Sequence, residues 1–418
     1  MTQVLLIRLS LIFQSKMRNF FRIFLLFQLL FSLSLQAEQW SNADLQQLKQ
    51  FSFKNIPLHS RDPSNGVLNN PNAIKLGELL FNDVRLSKNK KIACTSCHIK
   101  ALAFTDNRKV AQGMRLGSRN TPSLLNTAEQ NWFFWDGRKD SLWAQVLDSI
   151  ENPAEHGFTR VEMLHFISNN QAYRKQYQQI FSQQGHLLPT QATLKEYPKK
   201  AGPESDIDHL IAWKKLSKEQ KYSVNRVFTN IGKVIAAFVS TIKNKPSRFD
   251  RFIDEVSKKG ESSVLNQSEQ NGLKIFMSQD TGCTNCHRGG LLSNGEFHNI
   301  GTGIRGRGNG RSEVVDAVIR DKFNCLGKFS DAKPEECLEL KYANKDKHVL
   351  AGAYKTPSLR NLSKTAPYMH DGRFSNLKDV VDYYASIDKE KAKEIDLPPI
   401  RKMSDAEKAD LVNFLLTL

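Results

Sequence analysis

Two copies of the motif Cys-x-x-Cys-His are the residues with the most definite chemistry in this chain. They are Cys94/Cys97/His98 and Cys283/Cys286/His287. Each motif places two thiols one helical turn apart, where they can add across the vinyl groups of a haem while the imidazole ligates the iron. The motifs therefore predict two c-type haems, with His98 and His287 as iron ligands. The alternative is a pair of zinc sites, but neither motif has a second Cys/His cluster at a usual spacing nearby.

A segment near the N-terminus has the form of a secretory signal peptide. Arg18 and Arg22 precede an apolar run over residues 23–35, which ends at Gln36-Ala37. The run is too short to span a bilayer, so we expect a signal peptide over 1–37 that is cleaved after Ala37, with a retained anchor as the alternative. Because c-type haem is normally attached outside the cytoplasmic membrane, the expected location is the periplasm.

Cys325 and Cys337 are the cysteines outside the haem motifs. In an oxidising compartment we expect them to form a disulfide, and two free thiols are the alternative. The formal net charge of the chain is +17. Such a charge favours attraction to an acidic electron-carrier protein or an anionic membrane surface, and nucleic acid is not expected as a partner of an exported haem protein.

Segments of the first half recur in the second half at a constant offset of 235 residues. The pairs are Thr121-Pro122-Ser123-Leu124 with Thr356-Pro357-Ser358-Leu359, and Trp135-Asp136-Gly137-Arg138 with His370-Asp371-Gly372-Arg373. Equal offsets indicate a structural duplication. We expect two domains, 41–260 and 261–418, with a boundary near 258–263.

Helical periodicity recurs along the chain, whereas strand patterns are scarce. Apolar residues spaced as on one helix face precede each haem motif, at 74–81 and 273–276. Capping-box sequences begin at Ser217 and Ser404, the second opening a final amphipathic helix. A long helix is expected from about Ser223 to Thr241. The sequence therefore predicts an all-α protein.

The combination and order of these motifs resemble the bacterial di-haem cytochrome c peroxidase family, which includes the MauG oxidase. The resemblance covers nearly the whole mature chain. Besides the haem motifs it rests on Arg119-Asn120-Thr121-Pro122, Phe134-Trp135-Asp136-Gly137-Arg138, Asn152-Pro153-x-Glu155 and Ala366-Pro367-Tyr368-Met369-His370-Asp371-Gly372. It implies two cytochrome c-like domains whose haems face the domain interface, the N-terminal haem reacting with peroxide and the six-coordinate C-terminal haem passing electrons.

The resemblance also assigns roles to single residues. Glu155 resembles the family's catalytic carboxylate, which would move a proton between the two peroxide oxygens; the alternative is a helix-start residue after Pro153. Trp135 resembles the tryptophan between the haems and would relay electrons, with a packed core indole as the alternative. His156 would either share the proton work or be structural.

A calcium ion between the haems is a further implication of the resemblance. Its ligands would be the side chain of Asn120 and the backbone carbonyls of Thr365 and Pro367, with waters completing the shell. Oxygen donors suit this hard cation.

Tyr384 is the expected second ligand of the C-terminal haem iron. In peroxidases of the family the matching position is a methionine, and in MauG it is a tyrosine. A phenolate favours ferric iron and lowers the reduction potential, whereas a thioether raises it. Met369 and Tyr383 compete for this role, although neither matches the family position.

The first haem is expected to have a vacant side. The residue 235 positions before Tyr384 is Ser149, which is not a comparable ligand. Many peroxidases of the family carry a distal histidine before the Arg-Asn-Thr-Pro motif, but no histidine occurs between Lys100 and Arg119. Gln112 stands in roughly that place, and Met114 is the main competing ligand.

Three functions follow from this pattern. The leading hypothesis is an exported peroxidase that reduces hydrogen peroxide to water with electrons from a small cytochrome or copper protein. A MauG-like oxidase acting on a partner protein or a larger substrate is the alternative favoured by Tyr384. A non-enzymatic di-haem electron carrier would need neither Glu155 nor a vacant iron site. A homodimer is one option for the assembly.

Overall fold

The computed structural model describes residues 40–56, 62–203, 207–303 and 310–418. The predicted signal peptide, residues 1–37, lies outside these ranges. Within them, no helix combines the length and the apolar character needed to cross a membrane.

Helices dominate the described chain. They are α1 (Asn42–Gln50), α2 (Pro71–Phe81), α3 (Leu142–Glu151), α4 (Arg160–Asn169), α5 (Gln171–Phe181), α6 (Gln191–Leu194), α7 (Ile207–Lys215), α8 (Lys218–Val239), α9 (Arg248–Lys259), α10 (Gln267–Met277), α11 (Cys283–Cys286), α12 (Arg311–Arg320), α13 (Leu338–Lys341), α14 (Leu377–Ala385), α15 (Lys389–Ala392) and α16 (Asp405–Leu415). Short 3₁₀ turns include Cys94–Ser96, Thr127–Glu129 and Leu362–Lys364. The predicted helical architecture is confirmed.

One antiparallel pair of short strands was not expected from the sequence. Strand β1 (Phe297–His298) pairs with β2 (Tyr354–Lys355), with Phe297 opposite Lys355 and His298 opposite Tyr354. Each strand has only two residues, too few for a recognisable alternation of apolar and polar side chains.

Both predicted capping boxes are present. The Ser217 hydroxyl accepts the Gln220 N–H at 3.1 Å, and the Gln220 side chain accepts the Ser217 N–H at 2.9 Å. Ser404 and Glu407 exchange the same two bonds at the start of α16. The predicted helix start near Ser223 was wrong, since α8 begins at Lys218. The capping box and the apolar run belong to one helix, because the box satisfies the free N–H groups of its first turn.

Each haem motif follows a helix that crosses a later helix at very close range. In the first half α2 crosses α8, and in the second half α10 crosses α16. A Cβ atom on Gly77 would overlap the backbone carbonyl of Val234, and one on Gly272 would overlap that of Asp410. Glycine permits these crossings because it has no side chain to hold the two backbones apart.

Two large apolar cores are present, and each includes segments from the other side of the predicted boundary near residue 260. The first core contains apolar residues of α2–α5 and α8, together with Phe323 and Phe329. The second contains residues of α10, α14 and α16, together with α1 and α9. The chain halves are therefore interlocked by packing.

The predicted disulfide between Cys325 and Cys337 is confirmed. It closes a loop that carries Phe329 into the first core. The carboxylate of Asp140 accepts the Cys325 N–H at 2.8 Å, and the buried ammonium of Lys233 donates to the Phe329 carbonyl at 2.9 Å. The loop thus ties the second half to the first.

The internal repeat is visible in the backbone at the same offset of 235 residues. Isolated strand-type pairs join Phe133 to Lys139 and Tyr368 to Phe374. The turn residues Asn126 and Asn361 both have positive φ values, of 52° and 62°. Helices α3 and α14 begin at equivalent positions, Leu142 and Leu377. The two halves therefore build corresponding parts of the site with the same local structure.

Candidate haem-binding cavity

One cavity of about 860 Å³ receives residues from both halves of the chain. Every site residue predicted from the sequence lines it, although these residues span nearly 300 positions. They are Cys94, Cys97, His98, Asn120, Trp135, Glu155, Cys283, Cys286, His287, Thr365, Pro367 and Tyr384.

The two motif histidines are held in the same way. His98 donates from Nδ1 to the Phe104 carbonyl at 3.0 Å, and His287 donates from Nδ1 to the Leu292 carbonyl at 2.9 Å. Burial lowers the pKa of His98, and it lowers the pKa of His287 to about 4. Each imidazole is therefore neutral and keeps Nε2 free, which is the form that ligates iron.

The four motif cysteines are free thiols beside these histidines. Burial raises the pKa of Cys94 to about 12 and that of Cys97 to about 11. Burial also raises the pKa of Cys283. Free thiols next to an imidazole, on a largely apolar cavity, fit the covalent attachment of a haem at each motif.

Glu155 lies in a turn that follows α3, not at the start of a helix. The next helix begins only at Arg160, so the helix-start alternative was wrong. The Asn152 amide donates to Glu155 Oε1 at 2.8 Å. Burial raises the pKa of Glu155, and hydrogen bonds from Ser149 and Asn152 oppose that effect. The carboxyl group lines the cavity.

Arg138 supplies a positive charge that acts on this carboxyl group. Its guanidinium pairs with Asp136 and Asp148, each at 3.2 Å, and lies over the Phe134 ring. The charge of Arg138 lowers the pKa of Glu155. Since both aspartates also hold the arginine, its position does not depend on Glu155.

Trp135 lies where the two halves meet. Its indole Nε1 donates to the Asn120 carbonyl at 2.9 Å. The half-buried indole lines the cavity. Its backbone carbonyl accepts the Lys355 N–H at 2.8 Å, and the Asn120 N–H donates to the His370 carbonyl at 2.9 Å. These two backbone bonds are equivalent under the 235-residue repeat, so the segments that they join are related by an approximate local twofold.

Of the two adjacent tyrosines in α14, Tyr384 faces the cavity. Burial raises the pKa of its phenol well above the usual value. Tyr383 instead donates its hydroxyl to the Ile300 carbonyl at 2.6 Å. Met369, the other competing ligand, lines the same cavity. The geometry therefore leaves Tyr384 and Met369 as candidates and removes Tyr383.

The cavity wall near the first motif carries Ser149. Its hydroxyl accepts from the Gln145 amide at 2.9 Å. Gln112 and Met114 are not among the lining residues. The Gln112 side chain accepts from Arg108 at 2.5 Å, and the Met114 sulfur lies beside Gly157. Neither Gln112 nor Met114, the two residues considered as distal ligands, therefore lines the cavity.

His156 lies beside the first motif and also lines the cavity. Its Nδ1 donates to the Leu86 carbonyl at 3.0 Å, and Nε2 lies 4.0 Å from the Cys94 sulfur. Burial lowers the pKa of the imidazole, so it is neutral. These contacts fix the loop that carries Glu155 against the Cys94 attachment point.

The residues expected to hold calcium line the cavity where the two halves of the chain meet. We call this boundary the seam; it includes the bonds from Asn120 to His370 and from Lys355 to Trp135. The Asn120 amide nitrogen donates to the Arg108 carbonyl at 2.9 Å, which directs its oxygen the other way. Thr365 and Pro367 line the cavity with it. No cluster of three His, Cys, Asp or Glu side chains suited to a metal occurs in the described ranges. A cation here would depend on amide and carbonyl oxygens, which suit calcium.

Two residues that line the cavity were not predicted from the sequence, because neither belongs to a recognised motif. They are His298 and Lys355. His298 donates to the Asp396 carboxylate at 2.6 Å, and hydrogen bonds to Cys286 and Asp396 raise its pKa to about 9. Lys355 lies in β2 and contacts Gln130 of the first half. The internal repeat could have identified Lys355, because Lys355 lies 235 residues after Asn120 and is therefore its equivalent in the second half.

A helical chain with two haem-attachment motifs on one cavity has the features of a c-type cytochrome. Residues 71–258 match the profile of the family described as di-haem cytochrome c peroxidase. The chain is 28% identical over 352 residues to cytochrome-c peroxidase IdrP2 of Denitromonas iodatirespirans, covering 84% of this chain and 82% of that protein. It is 28% identical over 353 residues to methylamine utilization protein MauG of Methylorubrum extorquens, covering 83% and 78%.

Solved structures agree with the fold. A MauG-like protein associated with microbial copper homeostasis superposes with a TM-score of 0.54 at 22% identity, over 83% of this chain and 89% of that one. The diheme peroxidase BthA from Burkholderia thailandensis gives 0.57 at 20% identity, over 85% and 88%. Residues 71–258 therefore resemble the di-haem cytochrome c peroxidase family, and most of the chain is similar to cytochrome-c peroxidases and to MauG, which indicates an oxidoreductase of the cytochrome-c peroxidase type. The di-haem family that this segment resembles implies two c-type haems.

Proposed function

We propose that this protein is a periplasmic di-haem peroxidase that reduces hydrogen peroxide to water with electrons from a small cytochrome or copper protein. It would consist of two cytochrome c-like domains, 41–260 and 261–418, with the first as the peroxidatic domain. The observation that carries the proposal is the position of Glu155, a buried carboxyl group on the cavity wall shared with Ser149 and the first haem motif.

The bound haems would supply redox-active iron for two-electron reduction of the peroxide. Glu155 would take the proton from the peroxide oxygen nearer the iron and return it to the leaving oxygen, which departs as water. Asn152 and Ser149 orient the carboxylate for this transfer. His98 and His287 would hold the two irons through Nε2.

Trp135 would carry electrons between the halves. Its ring lies at the seam, and the bond from its Nε1 to the Asn120 carbonyl fixes its orientation. Calcium held by Asn120, Thr365 and Pro367 would keep the two segments of the seam in register. Tyr384 would be the second ligand of the C-terminal iron.

A second candidate function is a MauG-like oxidase that acts on a partner protein or a larger substrate. Tyr384 favours it, because a phenolate ligand lowers the reduction potential of the C-terminal haem and makes that haem a poor acceptor of electrons from a carrier. The peroxidase is preferred since relatives named cytochrome-c peroxidase align over most of the chain.

Two measurements test the proposal. Steady-state oxidation of a reduced cytochrome c by hydrogen peroxide should be fast. Electron paramagnetic resonance of the resting ferric protein should give one high-spin and one low-spin iron. Slow turnover with a long-lived oxidised state after peroxide addition would favour the oxidase. Two low-spin irons with negligible peroxide consumption would mean an electron carrier and would refute both enzymes.

A further inference from the structure

Lys355 is a cationic side chain on the wall of the haem-binding cavity. It extends from β2 of the second half across the seam and donates to the side-chain amide oxygen of Gln130 in the first half. Within the described ranges, it forms no ion pair with a carboxylate, and burial alone lowers its pKa to about 8. An ammonium group enclosed in this way is costly unless an opposite charge lies beside it.

The internal repeat shows what this position corresponds to. Under the offset of 235 residues, Lys355 is equivalent to Asn120, and Gln130 is equivalent to Thr365. Asn120 and Thr365 are two of the three residues expected to hold calcium. The equivalence extends to the backbone, because Asn120 and Lys355 make the two matching bonds across the seam, to His370 and to Trp135. A positive charge is therefore expected at both equivalent places.

We propose that the Lys355 ammonium is the fixed counter-charge of a haem propionate, occupying in one half the place that calcium takes in the other. The inference rests on the presence of both haems, which the family implies. The propionate carboxylates are the anions that the bound cofactors bring into this cavity. Lys355 is a positioning residue, since it would act on the haem through its charge and not on the peroxide.

The proposal predicts an effect on reduction potential. A cation near a haem stabilises the ferrous state, which has one positive charge fewer than the ferric state. Lys355→Met should therefore shift the ferric–ferrous equilibrium of at least one haem about tenfold towards ferric, which is about 59 mV for a one-electron couple. Lys355→Arg keeps the charge. The ferric–ferrous equilibrium constants of both haems should therefore stay within about threefold of the parent values. Lys259→Met, at an exposed lysine that ends α9, controls for loss of surface charge.

The measurement is a spectroscopic redox titration of the haem-loaded protein, with haem content determined in parallel. If Lys355→Met holds two haems and both potentials stay at the parent values, the proposal is overturned. A variant that loads fewer than two haems is replaced by Lys355→Gln, which keeps a polar contact with Gln130 and should show the same shift. The reduction potentials are measured without peroxide turnover. The role of Lys355 can therefore be tested even if the protein has no peroxidase activity.

Discussion

Replacing Glu155 by glutamine tests the proton-transfer assignment with little structural change. Glutamine has nearly the same shape, and its amide oxygen can still accept the bond that Asn152 donates at 2.8 Å. The substitution therefore leaves no cavity and keeps this partner bonded. It removes only the capacity to accept a proton at the pH of the assay.

The expected loss follows from what a positioned acid–base group contributes. Such groups typically accelerate a reaction by about 10²–10⁴-fold, which is about 2.7–5.4 kcal/mol of activation free energy. Steady-state kcat/KM for hydrogen peroxide with reduced cytochrome c should fall by that factor in Glu155→Gln, while haem content and the resting spectrum stay unchanged. A variant that turns over within threefold of the parent protein would show that Glu155 does not transfer the proton.

The pH profile gives a second, independent measure. The carboxylate must be ionised to accept a proton, and burial raises its pKa above the ordinary value of 4.5. The acid limb of kcat/KM should therefore lie above pH 4.5. Ser149→Ala removes a hydrogen bond that favours the charged form, so it should move this limb to higher pH without changing the plateau. An unmoved limb would mean that another group titrates.

Three further outcomes are expected. Tyr384→Met should raise the potential of the C-terminal haem by roughly 100 mV, part of the range of about 0.8 V that axial ligands span, in a redox titration; an unchanged potential would exclude Tyr384 as the ligand. Gly272→Ala should lower the free energy of unfolding by about 1–3 kcal/mol, because the added methyl group would overlap the Asp410 carbonyl. A lower thermal midpoint of unfolding would show this loss. Replacing both Cys325 and Cys337 by serine should lower the free energy of unfolding by about 3 kcal/mol, because the disulfide closes a loop with a sequence separation of 12. Urea unfolding measures this loss, and a midpoint equal to that of the parent would contradict it.

The haem-attachment residues can be predicted from the sequence because the chemistry of attachment fixes residue type and spacing within a few positions. Cys94, Cys97 and His98 are local in the chain, and so are their counterparts in the second half. The capping boxes at Ser217 and Ser404 are local for the same reason. Helix boundaries were less accurate where two local signals, the capping box and the apolar run of α8, had to be joined into one element.

Other features depend on contacts between residues far apart in the chain, which a single sequence does not encode locally. The pairing of β1 with β2 and the entry of Phe329 into the first core are of this kind. The meeting of Asn120 with His370, and of Lys355 with Gln130, is also long-range. Packing between the two halves determines these contacts, because the internal repeat does not by itself fix how its two copies are oriented relative to each other.

The sequence by itself determined the duplication and the helical character and predicted the residues for cofactor attachment, because each depends on residue type at fixed spacing. The tertiary structure decided which side chains share one cavity, which tyrosine of α14 faces it, and that Lys355 has no carboxylate beside it among the described residues. The physical reason is that burial and charge pairing arise only when distant segments are brought together and water is removed from between them.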